Sequence, residues 1–232
     1  MTNSAGKVGL SAFALKMIMV AFMVMDHLAY FLPHIFPFWF RYVGRIVAPT
    51  FCYLMTVSLR HTHDRGRYIT RLVTAGLVMF AGSLALMYTL LGQPIVHNIF
   101  LSLALSAVLV DRVERAAQQK DNLAANTFII AALVVLCFYI EGSFLLPVMA
   151  LVFYFMRGNK PAMLLVYLLA GTGVVLIAGM RSYQLLQVFA VIPIALYSGE
   201  KGRDSAGAKW FFYIFYPLHI WALYVIRHLF FS

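Results

Sequence analysis

The sequence predicts an all-α protein: a polytopic integral membrane helical bundle of about nine transmembrane helices, within a range of about eight to ten. Three observations predict it. The 232 residues are 63% hydrophobic and only 11% charged, whereas soluble domains are roughly half apolar and about a quarter charged. Apolar runs of about 16–22 residues recur along the chain, close to the ~20 that cross a bilayer as helix. Basic residues gather in alternate connections, as the positive-inside rule requires. No linker is long enough to separate a soluble domain and no internal repeat is visible, so residues 1–232 are expected to form a single transmembrane domain.

The elements follow in order. The first helix is expected over 10–32, too long for a signal peptide and followed by no small-residue cleavage site, hence retained. Pro33 and Pro37 bracket a turn into a second helix over 39–59. Pro49 lies inside that helix, frees a carbonyl and kinks the chain there. A basic loop, Arg60 to Arg67, precedes a third helix over 70–91, which Gly92 and Pro94 end. The fourth helix is expected over 95–110, followed by a solvated loop from Asp111 to Asn122. The fifth covers 124–140, and Glu141-Gly142-Ser143 turns into a short sixth over 144–156. The loop Arg157 to Pro161 leads to a seventh over 162–179, then an eighth over 183–197. A polar loop from Ser198 to Lys209 precedes the ninth, 210–230.

Orientation follows from the short loops. With the N-terminus in the cytoplasm, 13 of the 18 lysines and arginines lie on the cytoplasmic side, among them Lys7, Arg60, Lys120 and Lys201. The net charge of +10 is therefore mostly topology and requires no nucleic-acid partner. Asp26 and Glu141 are the two acids outside the cytoplasmic loops. Cys52 and Cys137 lie in apolar runs, the ordinary place of small core residues, and form no disulfide framework. The spacing of His61-Thr62-His63 fits no metal site, and no HExxH, Cys/His cluster, glycine-rich phosphate loop or GxSxG elbow occurs, so no metal is expected.

Chemistry concentrates on Asp26-His27, an acid and a histidine side by side in a segment that is otherwise apolar from Val8 to Ile35, broken mainly by Lys16. Ionisable groups inside a bilayer are costly and generally line a cavity or pathway. His27 lies nine residues before Phe36 and Arg45 nine after, so a hairpin brings them to one depth. Arg41 shares a helix face with Arg45, four residues on. His219, with Tyr213 and Tyr216 on the same stripe, reaches mid-membrane from the last helix, and Asn98 opens the fourth helix on the outer side. A polar cavity gathering His27, Arg45, Asn98 and His219 is therefore expected. Each residue also has a plainer reading. Asp26 with Arg41 or Arg45 is a structural pair, Arg41 snorkels, Asn98 is an ordinary helix cap, and the tyrosines are packing.

These motifs, in this order, resemble the TraX family of membrane proteins. The matching stretches are Lys16 with the apolar run into Met25-Asp26-His27; Gly44-Arg45 with Ala48-Pro49-Thr50-Phe51; Tyr68 with Arg71-Leu72; Asn98-Ile99-Phe100; Leu196-Tyr197-Ser198-Gly199-Glu200-Lys201-Gly202; and Phe212 through Tyr216-Pro217-Leu218-His219. The chain departs from the family pattern at Val47-Ala48-Pro49-Thr50-Phe51 and at Glu141-Gly142. Arg41-Tyr42-Val43-Gly44-Arg45 is also similar to the RxxxR element of other membrane acyltransferases.

The named member of that family acetylates the N-terminus of a conjugative pilin. The resemblance therefore implies an acyltransferase of the bacterial inner membrane, with acetyl-CoA as donor and an amine or hydroxyl on a peptide, sugar or lipid as acceptor. On this expectation His27 is the base or nucleophile, Asp26 orients it or a neighbouring arginine, and His219 is a second acid/base. Arg45, Arg41, Asn98 or Tyr216 stabilises the oxyanion, and the donor nucleotide docks at Arg65, Arg67 and Arg71. Two other classes fit the same residues: a proton-coupled transporter with a polar midplane site, and a non-catalytic assembly partner.

Overall fold

Ser11 starts the first helix by accepting the Ala14 N–H with its hydroxyl at 3.2 Å, and α1 runs from Ala12 to Phe31. The computed structural model describes residues 9–118, 123–139, 141–142, 144–203 and 205–231. Lys7, Lys120 and Ser143, which entered the topology and turn arguments above, lie outside the described residues.

The second expected helix is two. α2 (Phe40–Gly44) and α3 (Val47–His61) are separated by a break at Arg45-Ile46. Pro49 explains the position of the break. It lacks an N–H, and its ring would clash with the carbonyl of Arg45 four residues back, so it fits only the first turn of a new helix. The kink expected at Pro49 thus falls before it. Thr50 returns its hydroxyl to the Ile46 carbonyl at 2.7 Å.

Further along, α4 (Arg65–Leu86) begins earlier than expected, because Asp64 caps it through the Arg67 N–H at 2.8 Å. The basic loop shrinks accordingly to 62–64. α4 ends in a π-helical turn, Met87–Leu91, and Gly92 stops it in the left-handed region at φ 64°. α5 (Ile99–Gln118) continues through most of the segment expected to be a solvated loop. Asp111 is buried there and pairs with Arg115, one turn on, at 2.8 Å, and the residues that follow are good helix formers. α6 (Leu123–Cys137), α7 (Leu145–Phe155) and α8 (Lys160–Ile177) follow expectation. The eighth expected helix is a 3-10 segment, Ser182–Ala190, continued by the short α9 (Val191–Leu196). α10 (Ala206–Phe231) crosses the bundle with Pro217 inside it.

The chain is a helical bundle, with no strand among the described residues. α3 packs on α1, α5 and α7, and α10 packs on α1 and α4. By length and composition, four spans can cross a membrane: Ala12–Phe31, Phe40–His61, Arg65–Leu91 and Lys160–Ile177. Half of the apolar window of Phe40–His61 is buried but only 22% of those of Arg65–Leu91 and Lys160–Ile177, so α3 is interior and α4 and α8 form the rim. Their outward residues are Leu77, Phe80, Leu169 and Ile177, an apolar surface suited to lipid and not to water.

One irregular segment holds the start of α1. Leu196 and Glu200 accept the N–H groups of Leu10 and Ala12, each at 2.8 Å, and Lys201 accepts that of Phe13 at 3.1 Å. Donors that a helix start would leave unpaired are thereby satisfied. Gly202 closes the contact at φ 70°; a Cβ there would stand 2.4 Å from the Ser11 hydroxyl.

Candidate functional site

Gly44 brings α2 onto α1. A Cβ at this position would lie 2.3 Å from the Cβ of Asp26, so only glycine permits the approach. The approach delivers both arginines to the acid. Arg45 Nη2 donates to Asp26 Oδ2 at 2.5 Å, and Arg41 Nη1 stands 2.8 Å from Oδ1. The Arg41 contact is an ion pair outside hydrogen-bond geometry, which leaves Oδ1 buried without a hydrogen-bond donor. Arg45 also donates Nε to the Arg41 carbonyl at 3.0 Å and Nη1 to Gln184 at 3.1 Å. Arg41 lies over the Tyr30 ring at 4.8 Å.

Asp26 therefore orients the arginines and not the imidazole. Of the two partners expected for Asp26, the neighbouring arginine is the one found and the imidazole is not: neighbours on a helix point about 100° apart, and the carboxylate faces α2. The partner of His27 is His219, with Nδ1 and Nε2 2.8 Å apart. His219 Nδ1 lies 3.0 Å from the Phe215 carbonyl. A carbonyl only accepts, so His219 Nδ1 carries the proton there. With both rings neutral, His219 Nε2 is then the acceptor and His27 Nδ1 the donor. The nitrogen of His27 left to act is Nε2, with its lone pair. The ring is further packed against Phe31, His97 and Tyr216.

A cavity of about 600 Å³ adjoins these groups. Asp26, His27, Arg45, Glu141, Gln184 and Tyr216 are on its wall. His219, Arg41 and Asn98 are not: the first stands behind His27, the second behind Asp26. Asn98 is a cap, accepting the Leu101 N–H at 3.2 Å and donating to the Gly76 carbonyl at 2.9 Å, which corrects its expected place in the site. Tyr216 lines the cavity with its ring, but its hydroxyl donates to Glu141 and accepts the Ile99 N–H, both at 3.2 Å. Glu141 also accepts the Asn98 N–H at 2.7 Å, a carboxylate at the start of α5 where the helix dipole favours it.

Glu141, one of the departures from the family pattern and expected near the site, is on the wall, whereas sequence reasoning did not place Gln184 and Tyr183 there. Glu141 carried a signal, being an acid outside the basic loops. The 3-10 residues carried none.

A second cavity of about 300 Å³ lies toward the end of the bundle that carries His61 and Arg71. Phe51, Phe100, Leu103 and Phe212 line both cavities, so the two meet at an apolar collar. Of the three arginines expected to dock a donor, Arg71 lines this second cavity and the others do not. Arg65 is held by Glu114 and donates to the Tyr154 hydroxyl at 2.9 Å. Arg67 is 79% exposed and pairs with Asp64 at 3.4 Å. Among the described residues, no group of three His, Cys, Asp or Glu side chains is placed to hold a metal ion.

Residues 11–227 match the family model described as TraX protein. The chain is 27% identical to a probable fimbrial assembly protein, FimC of serogroup H1, from Dichelobacter nodosus, over 90% of this chain and 93% of the relative. No solved structure matches.

Proposed function

The chain belongs to the TraX family, and on that premise we propose that it is an integral-membrane acyltransferase that uses acetyl-CoA. Its acceptor is an amine or hydroxyl, with the N-terminus of a pilin-like subunit as the leading class. The observation that carries the reading is His27. Its Nδ1 is occupied by His219, it faces a cavity large enough for a substrate, and the Arg45 cation stands on the same wall.

The chemistry then runs as follows. His27 Nε2 takes a proton from the acceptor amine or hydroxyl. The acceptor's lone pair attacks the thioester carbonyl carbon, and charge developing on the carbonyl oxygen faces Arg45. Collapse breaks the carbon–sulfur bond, and the thiolate leaves with the proton that His27 carries. Acylated acceptor and free thiol are the products. Arg41 and Asp26 act by positioning Arg45, and His219 by holding the tautomer of His27 and not by protonating the leaving group itself.

The name of the relative, a probable fimbrial assembly protein, supports a fimbrial or pilin-like subunit as acceptor. On this reading the chain lies in the bacterial inner membrane, and the basic loops support a cytoplasmic N-terminus, with the cavity of Arg71 then on the donor's side. The test is co-expression with a candidate pilin subunit, followed by intact-mass measurement of that subunit. A gain of one acetyl group that depends on this chain supports the reading. A subunit unmodified by the wild type, with no thioester cleavage by the purified protein, sinks it in favour of a carrier.

A further inference from the structure

We infer that the second cavity is a polyphosphate-binding vestibule, which takes the phosphate-bearing end of the thioester donor. This rests on the acyltransferase reading. Lys16, His61, Arg71, Lys201, Arg203 and Lys209 line the cavity, and among the described residues no carboxylate does. They come from five separate places in the chain: α1, the end of α3, α4, the segment between α9 and α10, and α10 itself. Basic side chains brought by separate elements to one cavity wall suit an anionic ligand, and several of them together suit phosphate groups in particular.

The segment from Leu196 to Gly202 has a purpose on this account. It is tied to the start of α1 by the hydrogen bonds of Leu10, Ala12 and Phe13. That attachment sets Lys201 and Arg203 beside the turn of α1 that carries Lys16. The charged wall is thus mounted on hydrogen-bonded backbone and not on a loose loop.

The apolar collar supplies the rest of the path. Lys16 and His27 are eleven residues apart on α1, about 16 Å along the axis, a span comparable to an extended phosphopantetheine arm. With phosphates in the vestibule, an arm through the collar of Phe51, Phe100, Leu103 and Phe212 brings the thioester to His27. Phosphate can also come from an anionic lipid headgroup, and the experiment separates the two sources.

The full-length protein in nanodiscs is titrated with coenzyme A, 3′-dephospho-coenzyme A and phosphate-free pantetheine. Wild type is compared with Arg71→Gln/Arg203→Gln and with the control Arg67→Gln. The expected result is binding that weakens as phosphates are removed, and a loss on the order of tenfold per contact in the double variant for the phosphate-bearing ligands but not for pantetheine. Arg67→Gln leaves it unchanged. At saturating acetyl-CoA the double variant still releases thiol, with a raised KM. An unchanged KM overturns the vestibule while leaving the acyltransferase reading intact, whereas absence of release and of coenzyme A binding in the wild type overturns both. Nanodiscs of zwitterionic and anionic lipid complete the test. If the double variant loses retained anionic lipid but binds coenzyme A as the wild type does, the site belongs to a lipid headgroup and the inference fails.

Discussion

His27 Nδ1 and His219 Nε2 stand 2.8 Å apart, on helices 192 residues distant in the chain. With the Phe215 carbonyl behind it, His219 determines which nitrogen of His27 carries the proton. His219→Ala removes that control without touching the cavity wall. Turnover is expected to fall by on the order of 10–100-fold, as for other outer partners that orient a histidine, with the pH–rate profile displaced. His219→Gln, which can still accept from Nδ1, is expected to recover part of the rate. A His219→Ala enzyme with unchanged rate and profile contradicts the tautomer argument.

Asp26 behaves differently, because its role is to neutralise two largely but not fully buried arginines, whose side chains are 12% and 15% exposed. Asp26→Ala leaves both cations unpaired in the bundle, and breaking a buried pair in this way costs about 3–5 kcal/mol. The expected outcome is loss of folded, monodisperse protein in size-exclusion chromatography. Combining it with Arg41→Met restores part of the yield. A well-folded Asp26→Ala protein whose defect is confined to catalysis shows that the acid has a chemical role instead.

Gly44 tests the geometry from the backbone side. Gly44→Ala forces a methyl into the Asp26 side chain, and overpacking of this kind costs about 1–3 kcal/mol. Thermal unfolding in detergent is expected to shift downward, and turnover to drop as Arg45 moves off the wall. Unchanged stability and activity contradict the close approach of α2 to α1.

Much of this site was legible in the sequence, and the reasons differ by residue. The hairpin count placed His27 and Arg45 at one depth, because helical rise is uniform and both lie nine residues from the turn. His219 was found because an ionisable group deep in an apolar helix needs a partner. For Asp26 the sequence left the imidazole and a neighbouring arginine both open, and the arginines prevail because adjacency in sequence is not adjacency in space on a helix. Asn98 and Arg65 looked functional by type, but the partners that occupy them, Leu101 and Gly76 for one, Glu114 and Tyr154 for the other, come from packing that no local pattern encodes. The same is true of Gln184. It lies on a 3-10 segment that read as one more apolar helix, and only the packing of that segment against α2 and α3 brings it to Arg45. The break before α3 was nearly legible. Pro49 marked it, but the expectation of a kink in a continuous helix overlooked how well proline fits a helix's first turn.

The central claim is that His27 is the base of a thioester-cleaving acyl transfer. The direct measurement is free-thiol release from acetyl-CoA by the purified, acceptor-supplied protein, wild type beside His27→Ala, with folding of both checked by size exclusion. The account predicts release by the wild type and a loss of ~10²–10⁴-fold in a folded His27→Ala. A folded His27→Ala that releases thiol at the wild-type rate contradicts it.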